Sequence, residues 1–138
     1  MFYECANLRT APALDTRNVT DTSYMFFGCE MLEEVPMYDT SNVTNISYMF
    51  ARCSSIVSTY SFSLKSTTSV QGLFKECSSL DNVMEMDTKH IQNFSEMFMD
   101  CYSIKYLPDF NTTAATNMYY FLDGCTQLRV IPYFNTSK

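Results

Sequence analysis

Apolar and polar positions along this chain fall on a fixed register of 24 residues. One column reads Phe2, Phe26, Phe50, Phe74, Phe98 and Leu122, and the position before it Met1, Met25, Met49, Leu73, Met97 and Phe121. Three residues beyond each phenylalanine comes a cysteine: Cys5, Cys29, Cys53, Cys77, Cys101 and Cys125. Three further on stand Leu8, Leu32, Ile56, Leu80, Ile104 and Leu128, and then Ala11, Val35, Thr59, Val83, Leu107 and Ile131. Proline usually follows (Pro12, Pro36, Pro108, Pro132), and an acid or amide closes the stretch at Asp15, Asp39, Asp87, Asn111 and Asn135, with Ser63 as the exception. A fixed period of this length marks a quasi-one-dimensional stack in which each repeat buries its apolar side against its neighbours.

Within one unit, Glu33–Val35 is short and extended, ended by a proline that fixes φ and removes a donor, and predicts a strand. Asp39-Thr40-Ser41-Asn42 can bond nearby backbone N–H groups, so it predicts a turn and a cap. Val43, Ile46, Met49, Phe50 and Cys53 follow at offsets of three and four, which predicts one or two turns of α- or 3₁₀-helix from Val43 to Ala51. The expected fold class is therefore an α/β solenoid of about six 24-residue coils, with a short strand on one face and a short helical segment on the other. It would be a single repeat domain over 1–138, in units 1–24, 25–48, 49–72, 73–96, 97–120 and 121–138. The third unit departs most, with Thr59 for valine, Tyr60 for proline and Thr67 for the second valine; the fourth has Met84 at the proline position. Met1-Phe2 and Tyr133-Phe134 give the end units no polar outer face, which predicts ends that are covered by neighbouring domains, covered by another molecule, or frayed.

Composition narrows the classes. A hydrophobic share of 46% with 17% charge gives the chain enough apolar material to bury, which excludes disorder. No apolar run is long enough for a transmembrane helix, and no basic segment followed by an apolar run suggests a secretory signal. The net charge of −6 and the scattered cations (Arg9, Arg17, Arg52, Lys65, Lys75, Lys89, Lys105, Arg129, Lys138) argue against nucleic acid. Six cysteines invite a disulfide framework. Stacked coils, however, put equivalent residues about 4.8 Å apart with parallel Cβ directions, poor geometry for an S–S torsion. A reduced structural ladder of small buried thiols is expected instead.

Candidate chemistry is sparse. Zinc would need paired ligands such as C-x-x-C, and His90 stands alone where other units carry asparagine, so no metal site or cofactor is expected. A calcium ladder on the Asp/Asn column lacks the glycine-rich turn that such repeats use, which favours turn capping. The N-x-S/T triplets follow from the repeated N-V-T-N string and read as turn polarity. Neighbouring Glu33 and Glu34 on a strand would point to opposite sides, and no nucleophile–base pair or phosphate loop is present, so the chain is read as non-enzymatic.

The strings M-F-x-x-C-x-x-L and D-T-S-N-V-T-N resemble the BspA-type leucine-rich repeats of bacterial surface proteins, most closely over Asp39–Phe50. The resemblance covers essentially the whole chain. It implies a leucine-rich-repeat-like solenoid and a non-enzymatic module of the kind found in adhesins and surface proteins, and also encoded by bacteriophages. On that basis cell-surface or virion-surface display is expected, without membrane insertion.

Outside the core columns, identities vary from unit to unit. The pairs after each Leu/Ile are Arg9-Thr10, Glu33-Glu34, Val57-Ser58, Asp81-Asn82, Lys105-Tyr106 and Arg129-Val130; the position after the proline column reads Ala13, Met37, Ser61, Glu85, Asp109 and Tyr133. Such columns would form a variable face, where solenoids usually bind partners. The expectation is a binding or adhesion module for a protein or glycan, with Glu34, Ser58, Asn82 and Tyr106 as the binding residues. The alternative is an assembly component, a filament or a bacteriophage virion decoration, that self-associates through its solenoid ends.

Overall fold

A computed structural model describes residues 1–60 and 62–135. Ser61, which belongs to the variable column, and Thr136, Ser137 and Lys138 at the end of the sixth unit lie outside the described residues. Each coil rests on the next one period along: Thr10 bridges Glu34, Asp21 bridges Asn45, Ser58 bridges Asn82, Ser69 bridges Asn93 and Asn93 bridges Asn117, all in parallel.

The expected α/β solenoid does not form. Among the described residues there is no helix, and extended pairing is confined to those isolated bridges. The strand expected over Glu33–Val35 shrinks to the single Thr10–Glu34 bridge, and the segment 43–51 expected to be helical is a run of turns. The hydrogen bonds give the reason. A helix sends every N–H back along its own segment. Here alternate N–H groups leave for the next coil: Tyr24 donates to Ser47 O, Phe26 to Met49 O and Gly28 to Ala51 O. The residues between them bond back by three: Met25 to Thr22 O, Phe27 to Tyr24 O and Cys29 to Phe26 O.

That alternation depends on left-handed residues at two fixed places in the coil. Tyr24, Tyr48, Gly72, Glu96 and Tyr120 form one column of positive φ, and Glu4, Gly28, Arg52, Glu76, Asp100 and Gly124 form the other. Each is the third residue of a four-residue turn, such as Thr22–Met25 or Phe26–Cys29, where a positive φ is the mark of type II geometry. Successive turns advance three residues per bond, so Phe26, Cys29 and Leu32 come round to one side. A chain of turns thus imitates the three-residue half of a helical pattern.

Inside the coils the columns become ladders. The rings of Phe2, Phe26, Phe50, Phe74 and Phe98 stack nearly parallel, with centroids 5.3, 5.5, 5.8 and 5.8 Å apart and an interplanar angle of 7° at each step. Leu122 ends this stack, and Phe121 from the neighbouring column meets Phe98 at 5.8 Å instead. Cys29, Cys53, Cys77 and Cys101 are buried, Cys125 is half-buried and Cys5 is exposed, all as free thiols. From the second coil on, each sulfur donates to the phenylalanine carbonyl of the coil before: Cys29 to Phe2 O, Cys53 to Phe26 O, Cys77 to Phe50 O, Cys101 to Phe74 O and Cys125 to Phe98 O, at 3.0–3.2 Å. The same carbonyl accepts the N–H of the cysteine in its own coil. Cysteine suits the position because it is small, apolar and able to make a weak S–H bond there.

The Asp-Thr pair divides its work by burial. Thr16, Thr40, Thr88 and Thr112 are buried and donate to the next coil at Asp39 O, Ser63 O, Asn111 O and Asn135 O. The acid or amide before each stays outside and accepts the N–H two residues on, as Asp39 does from Ser41 at 2.9 Å. In the third unit Leu64 takes the threonine place and is equally buried. A second compensation joins the third unit to the fourth. Met84 has the N–H that a proline would lack, and the hydroxyl of Thr59, in the valine column one coil earlier, accepts it at 2.7 Å.

Candidate binding face

The stack fixes where the variable positions lie. Residues 10, 34, 58, 82 and 106 occupy successive coils, and the Thr10–Glu34 and Ser58–Asn82 bridges show them in register. Glu34 is exposed. Ser58 is half-buried, and its hydroxyl accepts from the Asn82 amide at 3.3 Å. The Tyr106 ring is 56% exposed, with its hydroxyl accepting from Arg129 at 3.5 Å. The four sequence candidates therefore share a column, and two of them, Asn82 and Tyr106, border a common depression.

That depression is a cleft of 560 Å³ between the fourth and fifth coils, lined by residues 81–85 and 106–108. Val83, Met84, Leu107 and Pro108 give it apolar walls, with Asp81 and Glu85 at its rim. Sequence reasoning singled out Asn82 and Tyr106 and missed Met84. A methionine at a proline position is itself an anomaly in the repeat, and that anomaly was the available signal.

Several charges elsewhere form local pairs. Arg9 meets Glu33 on the next coil at 2.8 Å, and Arg17 and Lys89 fold back on Asp15 and Asp87. Those bonds, together with the N–H two residues on, hold the Asp15 and Asp87 carboxyls below the usual carboxylate range; the Ser41 hydroxyl and N–H do the same for Asp39. The Asp/Asn column is thus occupied with its own turns. His90 sits in a turn with Nε2 donating to Leu64 O at 2.7 Å. Among the described residues no group of three His, Cys, Asp or Glu is placed to hold a metal ion.

A second exposed feature lies on the turn side. Tyr3 stacks on Phe27 at 5.1 Å and Tyr24 on Tyr48 at 5.2 Å, with Arg52 over the Phe27 ring at 5.8 Å. Tyr48 then lies across Gly72 and reaches two coils on, its hydroxyl bonded to Glu96 at 3.3 Å and to the Gln71 amide at 3.0 Å. Glu96 also pairs with Lys75 at 2.6 Å, and that bond raises the ammonium's pKa. These rings turn their faces to one another, so the stripe is packing between coils.

A family model described as "Mycoplasma protein of unknown function, DUF285" matches residues 1–107 and again 57–138. Neither a comparison with curated proteins nor one with solved structures finds a match.

Proposed function

From a chain that belongs along its whole length to the DUF285 family of Mycoplasma proteins of unknown function, a family of BspA-like repeats, we propose a non-enzymatic binding module. It is a repeat module of the BspA surface-protein kind, with the column of Glu34, Ser58, Asn82 and Tyr106 turned to a protein or glycan partner. The supporting observation is the contrast between columns. Cysteine recurs at every 24-residue step and phenylalanine at five of the six, while the neighbouring column changes identity in every unit and borders the 560 Å³ cleft. Inward columns are held by packing. Outward ones carry no such constraint, and a rigid stack that holds them in register can present them together. Surface display and adhesion follow from the same reading.

The test compares the chain with a variant carrying Glu34→Ala, Ser58→Ala, Asn82→Ala and Tyr106→Ala on a panel of immobilised peptides and oligosaccharides. The expected result is binding by the chain, its loss in the variant and little change in urea midpoint. Equal binding by both would remove this face as the site.

A further inference from the structure

The variable column is not evenly paired. Bridges join residues 10 to 34 and 58 to 82, but none joins 34 to 58 or 82 to 106 among the described residues. Where coils do pair, two successive N–H groups converge on one carbonyl: Glu33 and Glu34 on Arg9 O, Asp81 and Asn82 on Val57 O. A return bond runs from Ala11 N to Glu34 O and from Thr59 N to Asn82 O. At the first gap the Tyr60 hydroxyl donates to Glu33 O and partly fills the space. At the second gap no side chain among the described residues makes such a bond. The N–H groups of Lys105, Tyr106 and Val83, and the carbonyls of Asp81 and Tyr106, make no backbone hydrogen bond among the described residues. The cleft opens at this place.

Its lips therefore carry unpaired amide groups above apolar walls. The sign of the charge is set by Asp81 and Glu85, both exposed and in no ion pair among the described residues. Lys105 comes one residue before the second lip. It stands to Asp81 as Glu33 stands to Arg9, one coil apart, yet only the Arg9–Glu33 pair closes, at 2.8 Å. The lining of the cleft thus carries two carboxylates and no cation.

Resting on the binding-module reading above, we propose that the cleft between residues 81–85 and 106–108 takes an extended peptide segment rich in lysine or arginine. Its backbone pairs with the free amide groups of the two lips, as in strand addition to an open edge. Its aliphatic side chains lie on Met84, Leu107 and Pro108, and its cations meet Asp81 and Glu85, which supplies specificity and speeds encounter. A peptide fits better than a sugar because the free groups are amides spaced along a backbone.

The test uses a short, end-blocked, fluorescent peptide of alternating lysine and valine, with anisotropy measured at low and at physiological salt. Saturable binding that weakens with salt is expected. Asp81→Lys with Glu85→Lys should weaken it at least about tenfold, leave the urea midpoint unchanged and create affinity for a glutamate–valine peptide. A peptide of the same charge with alternate backbone amides methylated should bind as weakly as the charge-reversed pair. Equal binding of the methylated peptide would reduce the interaction to charge and overturn the proposal. Oligosaccharide binding that is lost in Asn82→Ala/Tyr106→Ala, without peptide binding, would overturn the peptide and keep the face. Indifference of both probes to these substitutions would overturn the two together.

Discussion

Gly72 and Tyr48 offer the sharpest test of how the coils hold together. A Cβ built on Gly72 would lie 2.2 Å from Tyr48 Cε1 and 2.3 Å from Cδ1, inside any tolerable contact. Backbone conformation alone does not demand glycine there, because Tyr24, Tyr48, Glu96 and Tyr120 adopt φ of 54–58° in the same column. Alanine in the left-handed region costs about 1 kcal/mol, and roughly half or more of that returns through its stiffer unfolded chain. The larger effect is on the ring. Displaced, Tyr48 gives up its bonds to Gln71 and Glu96 and its stacking on Tyr24, at about 0.5–1 kcal/mol apiece in a part-buried setting. Gly72→Ala should therefore destabilise by about 2–3 kcal/mol. Gly28→Ala is the internal control. The nearest atom to its Cβ is Glu4 Cγ at 3.2 Å, on a flexible side chain, so the cost should stay below about 1 kcal/mol. In a Tyr48→Ala background, the cost of Gly72→Ala should fall to roughly 0.5 kcal/mol. Urea denaturation followed by far-ultraviolet circular dichroism reads all four corners of the cycle, provided the transition slopes agree. Additive behaviour of the two substitutions, or equal costs at Gly28 and Gly72, would refute the account.

Three further outcomes follow from other ladders. Thr59→Val restores the repeat's usual residue yet should destabilise by about 1 kcal/mol, because the Met84 N–H loses its acceptor; adding Met84→Pro should recover the loss, and a denaturation cycle that stays additive would exclude the pairing. Cys53, Cys77 and Cys101 are fully buried, and burial pushes their thiols up, so native protein should react quickly with a disulfide reagent only at Cys5 and slowly at Cys125, whose thiol is pushed up to about 11. Because the folded values lie above the unfolded ones, that stability is complete below about pH 8.5 and declines as pH rises, by up to about 1.4 kcal/mol per unit for each buried thiol; an alkaline melt with no such decline would contradict their burial. At the acid end the sign reverses: Asp15, Asp39 and Asp87 have lowered values, so what they contribute is present above about pH 4 and lost as pH falls through the folded values. Asp39→Asn, which matches Asn111 in the same column, should keep the turn and flatten that acid limb, as thermal melts across pH would show.

The sequence by itself determined the repeat length, the inward columns and the isolation of His90, because burial demands the same residue type each time the backbone returns to the same place. Asp39 as a turn former was also legible, since its bond reaches only two residues along the chain. The route of the backbone between those columns was decided only by the tertiary structure. Offsets of three arise from a helix and from successive turns alike, and the choice here rests on Tyr24 N and Phe26 N leaving for the next coil. A local window contains no record of a partner 23 residues away. The same holds for the cleft. Asn82 and Tyr106 could be placed on one face from the period, but the missing bridge between them depends on how two whole coils settle against each other, and so does the role of Met84.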